Sequence, residues 1–324
     1  MTPSTLFGRL LATAGVAVAL SFVPLPAAAY SSLVIFGDSL SDSGNNALVL
    51  GTAPDQVITG NSYIPTFPYA SGVYSNGDVW ATSFAAGLGL AALPSLAGGT
   101  NYAYGGAETH GLGFPPNLQK QVSMYLGTAP ADASDALFVI AGGGNNARAA
   151  LEAIAGGASL PLTVATTAIR YAHDVGVMVD ALQAAGAQHI VVWNTPDLGL
   201  TPAVQAEGSL AATLGTLVAD KMNDALAGRL AGEAGVSTFD VFGLLDGVVA
   251  NPGAYGLANV SDACGAILGC DPSSYLFWDG IHPTSAGHAI LANGMLAAVV
   301  PEPGTVWLFV IGVAGLALRR RVRL

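Results

Sequence analysis

Three residues in this chain could together perform nucleophilic chemistry: Ser39, Asp279 and His282. A serine hydroxyl attacks a carbonyl only when a base takes its proton, and an imidazole is held in the right tautomer by an acceptor on its far nitrogen. Asp279-Gly280-Ile281-His282 places acceptor and base on one short loop, and Pro283-Thr284 after it should begin a helix. Ser39 lies in Phe36-Gly37-Asp38-Ser39-Leu40-Ser41-Asp42-Ser43-Gly44-Asn45, directly after the apolar run Leu33-Val34-Ile35, which reads as a short buried strand. In open parallel sheets ligands bind beyond the carboxyl ends of the strands, so a hydroxyl there is aimed at substrate. A plainer role is open to the same segment, with Ser39 and Asp42 capping the next helix. The Asp279 and His282 pair decides for acyl transfer. His110, His173 and His189 read as ordinary surface or core residues.

The elements that must position these groups follow from periodicity. Strands are expected at about 33–36, 101–103, 136–141, 189–193 and 236–239, and helices at about 79–88, 117–126, 162–185, 204–231 and 284–299. The polar, Pro- and Gly-rich stretch 45–77 is expected to be irregular and to rim the site. Five strands separated by helices argue a parallel sheet covered on both faces, a flavodoxin-like three-layer α/β/α sandwich.

On four blocks taken in order, the sequence resembles the GDSL, or SGNH, family of serine hydrolases across essentially the whole region after the leader. In Gly37-Asp38-Ser39-Leu40, Ser39 matches the family nucleophile, whose backbone N–H also belongs to the oxyanion hole. In Asn101-Tyr102-Ala103-Tyr104-Gly105-Gly106-Ala107, Gly106 matches the second oxyanion donor. In Gly143-Gly144-Asn145-Asn146, Asn145 matches the side-chain amide donor, and Asp279-Gly280-Ile281-His282-Pro283 supplies acid and base. The third block departs from the usual Gly-x-Asn-Asp, with Asn146 in place of the acid. That position normally supports the loop, so activity should survive. The resemblance also implies the same three-layer sandwich, the SGNH hydrolase fold.

The chemistry of these groups agrees. Attack on an ester carbonyl places negative charge on one oxygen, and each donor fixed around it contributes about 2.7–4 kcal/mol. A glycine lets its N–H approach closely, and a carboxamide donates without carrying charge. The chain has no Gly-x-Ser-x-Gly elbow, which disfavours the other common serine-esterase architecture. Gly142-Gly143-Gly144-Asn145-Asn146-Ala147 fits a dinucleotide fingerprint, but residues 161–168 lack the acid that fingerprint needs about twenty residues on.

Composition bounds the rest. With 52% hydrophobic and 10% charged residues in 324, the chain can bury a large core. Residues 1–29 carry Arg9, an apolar stretch from 10 to 23 and Ala27-Ala28-Ala29, and read as a secretory signal peptide cut before Tyr30. Pro301-Glu302-Pro303, an apolar run at 305–318 and Arg319-Arg320-Arg321 resemble the PEP-CTERM sorting signal of Gram-negative bacteria, which implies recognition by an exosortase and removal of residues 301–324; a plain membrane anchor is the other reading. The domain proper should thus occupy residues 30–300. Its cations are Lys120, Arg148, Arg170, Lys221 and Arg229 in a chain of net charge −11, so nucleic acid is not an expected partner. Cys264 and Cys270, close together in an exported chain, should form a disulfide just ahead of Asp279.

These features point to an exported serine esterase or lipase that acts through an acyl-enzyme on Ser39 without metal or cofactor. It should take a small-molecule or lipid ester and associate with the membrane only transiently, through its C-terminal segment. A lysophospholipase or phospholipase, a carbohydrate deacetylase, and a catalytically silent surface or matrix binding protein are the alternatives.

Overall fold

A computed structural model describes residues 30–61, 64–128 and 133–300. The leader and the sorting tail expected from the sequence lie outside the described residues.

Four strands form the main sheet: β1 (Ser32–Gly37), β2 (Ala136–Ala141), β3 (His189–Trp193) and β4 (Val236–Phe239). They pair in parallel in that order, with Ile35 opposite Val139, Val139 opposite Val191 and Val191 opposite Ser237. β1 and β2 are buried almost throughout, as expected of central strands covered on both faces. Alternation along them divides the core. Val34, Phe36, Phe138, Ile140, Ile190 and Val192 face one helical layer, whereas Leu33, Ile35, Leu137, Val139, Val191 and Trp193 face the other.

Nine α-helices are described: α1 (Asn45–Leu50), α2 (Trp80–Gly87), α3 (Leu118–Leu126), α4 (Gly144–Ala155), α5 (Leu160–Ala184), α6 (Pro202–Ala206), α7 (Ser209–Leu230), α8 (Val241–Ala250) and α9 (Ser285–Val299). The first layer is built from α3, α4, α5 and α7 through Leu118, Ala147, Val175 and Met222; the second from α2, α8 and α9 through Trp80, Phe84, Val241 and Met295. A short parallel pair, β5 (Asn259–Ala263) and β6 (Tyr275–Phe277), forms a separate sheet leading to Asp279.

The structure corrects three expectations. The fifth strand, expected at 101–103, is reduced to isolated bridges of Asn101 with Ile35 and with Pro94, so among the described residues the sheet has four strands and not five. The segment does run beside β1, with the Tyr102 N–H on the Ile35 carbonyl (2.7 Å) and the Tyr104 N–H on the Gly37 carbonyl (3.2 Å). Its outer edge meets the segment 93–95, where the Asn101 N–H bonds the Leu93 carbonyl (3.0 Å) and the Asn101 carbonyl accepts from the Ser95 N–H (2.8 Å), and the side-chain amide of Asn45 adds bonds to the carbonyls of Asn101 and Ala103 at 2.8 and 2.9 Å. The helix expected at 204–231 is two helices, because Gly208 adopts φ 97° between them. The stretch 45–77, expected to be irregular, begins with α1, whose first N–H groups are taken by the Asp42 carboxylate.

Candidate active site

Ser39 sits two residues beyond the end of β1, inside the turn that follows it. The end of that strand is pinned by buried Gln121 on α3, which accepts from the Gly37 N–H at 2.8 Å and donates to the Gly37 carbonyl at 2.9 Å. A Cβ at Gly37 would lie 2.5 Å from the Ala141 carbonyl oxygen, so only glycine lets β1 and β2 end this close together. The chain then turns sharply: the Asp38 carbonyl accepts from the N–H groups of Ser41 and Asp42, and the Asp38 carboxylate accepts from the Leu40 N–H at 3.0 Å. Burial pushes the Asp38 carboxyl up to about 6, against the lowering influence of that N–H and of nearby His282.

Asp279 organises the other loop. Its Oδ1 accepts from the backbone N–H of Ile281 (2.8 Å) and of His282 (2.7 Å), folding the chain so that the imidazole returns over the carboxylate. Its Oδ2 meets His282 Nδ1 at 2.7 Å and accepts from the Tyr69 hydroxyl at 2.8 Å. His282 Nε2 lies 2.8 Å from Ser39 Oγ. With Asp279 accepting from Nδ1–H, Nε2 carries the lone pair that accepts the Ser39 hydroxyl, the arrangement general-base activation requires. After the loop, Thr284 caps α9 through its hydroxyl on the Gly287 N–H, as Pro283-Thr284 suggested. The Tyr74 ring packs on the imidazole at 5.3 Å between centroids.

The two expected donors arrive on separate elements. Tyr104 to Ala107 is a turn closed by the Ala107 N–H on the Tyr104 carbonyl (3.1 Å), with Gly106 at its third position at φ 82°, where glycine is favoured. The preceding Gly105 N–H is taken by Asp42 Oδ2 at 3.0 Å, whereas the N–H groups of Gly106 and Ser39 find no acceptor among the described residues. Asn145 opens α4, and its amide donates to the Ala107 carbonyl at 3.0 Å, which ties the helix to that turn. Asn146, standing where an acid was expected, accepts from the Thr109 N–H and donates to the Thr109 hydroxyl, both at 3.1 Å. An amide can do both, so the loop keeps its support.

Two hollows meet over the serine. A wide one of about 380 Å³ is lined by Tyr74, Gly106, Phe67 and Phe114, and a narrow one of about 60 Å³ by Leu40, Pro196, Leu198 and Thr201. Ser39, Asn145, Arg148, Ile281 and His282 border both. A further hollow of about 450 Å³ at 53–56 and 66–67 is lined by none of these five. Ser39, His282, Gly106 and Asn145 thus border one cleft, with Asp279 buried behind His282. His110 pairs instead with Asp174 at 2.9 Å, His189 stacks edge-on with Tyr30, and His173 is exposed.

Sequence reasoning missed several supporting groups. Tyr69 on Asp279, Gln121 on Gly37 and Asp42 on the Gly105 N–H all act across the chain, and no local pattern marks them. The capping role considered for Ser39 and Asp42 belongs to Asp42 alone; burial raises its carboxyl despite four backbone N–H bonds. His288 on α9 is fully buried with neither ring nitrogen partnered among the described residues, and burial, then the proximity of His282, lowers it to about 3, which leaves it neutral. Cys264 and Cys270 are joined, and the Gly265 N–H bonds the Trp278 carbonyl at 2.9 Å, so the disulfide loop braces the residue before Asp279.

Residues 299–321 match the PEP-CTERM protein-sorting motif, which marks the chain for export from a Gram-negative cell to its surface or beyond. Esterase EstA of Pseudomonas aeruginosa is 30% identical over 82% of this chain and 46% of its own length, and a GDSL esterase/lipase of Arabidopsis thaliana is 28% identical over 81% of this chain and 87% of its own. The chain spans about half the length of the Pseudomonas relatives it matches. A solved member of the lipolytic protein G-D-S-L family from Veillonella parvula covers 82% of this chain and 96% of its own, at 12% identity and a TM-score of 0.44. The family model of the GDSL-like lipase/acylhydrolases matches residues 33–295, from the strand that leads to Ser39 into the helix that follows His282. Since that match takes in every element of the cleft, this chain belongs to the GDSL-like lipase/acylhydrolase family.

Proposed function

We propose that the protein is an exported serine ester hydrolase that cleaves carboxylic esters through an acyl-enzyme on Ser39. The observation that carries this reading is the relay from Ser39 Oγ to His282 Nε2 (2.8 Å) and from His282 Nδ1 to Asp279 Oδ2 (2.7 Å). His282 takes the serine proton as Oγ attacks the ester carbonyl, then gives it to the departing alcohol; Asp279 holds the tautomer and stabilises the imidazolium. The backbone N–H groups of Ser39 and Gly106 and the Asn145 amide receive the oxyanion. Water, deprotonated by the same imidazole, then releases the acid. Hydrolysis of a series of p-nitrophenyl esters of increasing acyl length tests the reading and measures the acyl preference; no turnover of any member would overturn it.

Asn145 acts on the transition state more than on bound ester in this scheme. Asn145→Ala should lower kcat by about 10²–10³ with little change in KM. A change confined to KM would make Asn145 a binding residue instead.

The hydrolase domain is assigned to residues 30–300, with 1–29 as signal peptide and 301–324 as sorting signal. Support comes from α9, which ends at Val299 after placing Ala292 and Met295 in the core. A chain ending at Val300 is expected to hydrolyse p-nitrophenyl butanoate as fast as the full chain; loss of activity would place the boundary further on. Membrane association is assigned to the apolar run at 305–318 and is expected to be transient. The net charge of −11 supports the reading that nucleic acid is not a partner.

A further inference from the structure

Of the five cations among the described residues, only Arg148 lines the cleft. It lies one turn into α4 on the face that carries Gly144 and Asn145, and borders both hollows beside Ser39 and His282. Lys221 is held by Asp220 and Asp224, and Arg229 by Asp180 and Glu233. Arg148 has one partner, Glu152 at 2.8 Å, with side chains 37% and 64% exposed, a pair that stabilises little in water. Its Nε is buried with no acceptor among the described residues. A guanidinium has five donors in a planar fork, so a single bond to Glu152 leaves capacity for a two-pronged acceptor.

The two hollows differ in what they offer an anion. The narrow one is bordered by Asp38, whose carboxylate would repel it. The wide one has no acidic residue in its lining; Leu50, Ile64, Phe67 and Phe114 supply apolar wall, and Arg148 is its one cation apart from what His282 acquires during reaction. In a body this acidic, a cation kept at the reacting centre is a selective feature.

We propose that Arg148 is a specificity-determining residue that selects esters carrying an anionic group, phosphate or carboxylate, on the portion that occupies the wide hollow. The substrate is then an amphiphile with an apolar part against Phe67 and Phe114 and an anion exchanged for Glu152 on the guanidinium. This inference rests on the assignment of the cleft as an ester-hydrolysing site.

The test compares wild type with Arg148→Gln on ester pairs in which one member carries an anionic group and the other does not. Meta-carboxyphenyl against meta-carbamoylphenyl butanoate puts a carboxylate on the alcohol; p-nitrophenyl hydrogen glutarate against its terminal amide puts it on the acid. Butanoylglycerol phosphate against butanoylglycerol supplies the phosphate. In at least one pair the ratio of kcat/KM for the anionic over the neutral ester is expected to fall about tenfold or more in Arg148→Gln. The pair that responds identifies phosphate or carboxylate and shows which end of the ester lies in the wide hollow. A ratio unchanged in all three pairs overturns the proposal, as does an equal loss on charged and neutral members. Calorimetric binding of the same pairs to Ser39→Ala, with and without Arg148→Gln, gives a readout independent of turnover. If wild type hydrolyses nothing while the anion preference in binding still depends on Arg148, the hydrolase reading fails and the anion site stands; absence of that preference removes the anion site alone.

Discussion

Replacing Ser39 with Ala is expected to lower kcat for ester hydrolysis by about 10⁵–10⁶-fold while the protein still folds, because residues that act as one unit lose nearly all their effect when the nucleophile goes. The fold should survive since the Ser39 side chain is linked to its surroundings through His282 Nε2, and the turn around it is held by backbone bonds to Asp38. A fluorophosphonate should react with the wild-type protein by attack of Oγ on phosphorus with loss of fluoride, leaving an adduct on the peptide that contains Ser39. The variant should give none. Circular dichroism and thermal unfolding close to those of wild type would show that chemistry and not structure was lost. Residual hydrolysis within tenfold of wild type, or an adduct on another serine, would remove Ser39 from the role.

How much of this was legible in the sequence depended on distance along the chain. Asp279 and His282 stand three residues apart, so one loop had to present both, and the carboxylate's bonds to the backbone N–H groups of Ile281 and His282 are the local geometry their spacing allows. Ser39 was marked by the apolar strand before it together with the distant Asp279 and His282, whereas Gly106 and Asn145 rested on the resemblance of their blocks to the GDSL family. The parts that fix these residues in place were not legible. Tyr69 reaches Asp279 across 210 residues, and Gln121 reaches Gly37 across 84; neither has a spacing that periodicity could detect. The fifth strand was over-read for a related reason. Residues 101–103 do run along β1, but their outer edge is closed by the short segment 93–95, which bonds Asn101, and by the side chain of Asn45, which no pattern in these segments announces.

The arrangement around Asp279 leads to an effect nearly as large from a change of one atom. Asp279→Asn is isosteric, and its remaining oxygen can still accept from the Ile281 and His282 N–H groups, so the loop should keep its shape. The new amide nitrogen then takes the place of Oδ2, opposite His282 Nδ1 and the Tyr69 hydroxyl. An amide donates where the carboxylate accepted. Nδ1 must therefore present its lone pair, the ring proton moves to Nε2, and the imidazole now points a donor at Ser39 where a base is needed. Loss of about 10⁴-fold in kcat is expected, the size of effect seen when a serine hydrolase holds the wrong tautomer in otherwise intact geometry. Tyr69→Phe removes one of four bonds to the carboxylate and leaves the tautomer alone, so its loss should be far smaller. The imidazole N–H resonances decide between tautomer and structure. In wild type the exchange-protected proton should couple to Nδ1, and in Asp279→Asn to Nε2. Activity within tenfold of wild type, or a ring proton still on Nδ1, would show that Asp279 positions the loop without governing the base.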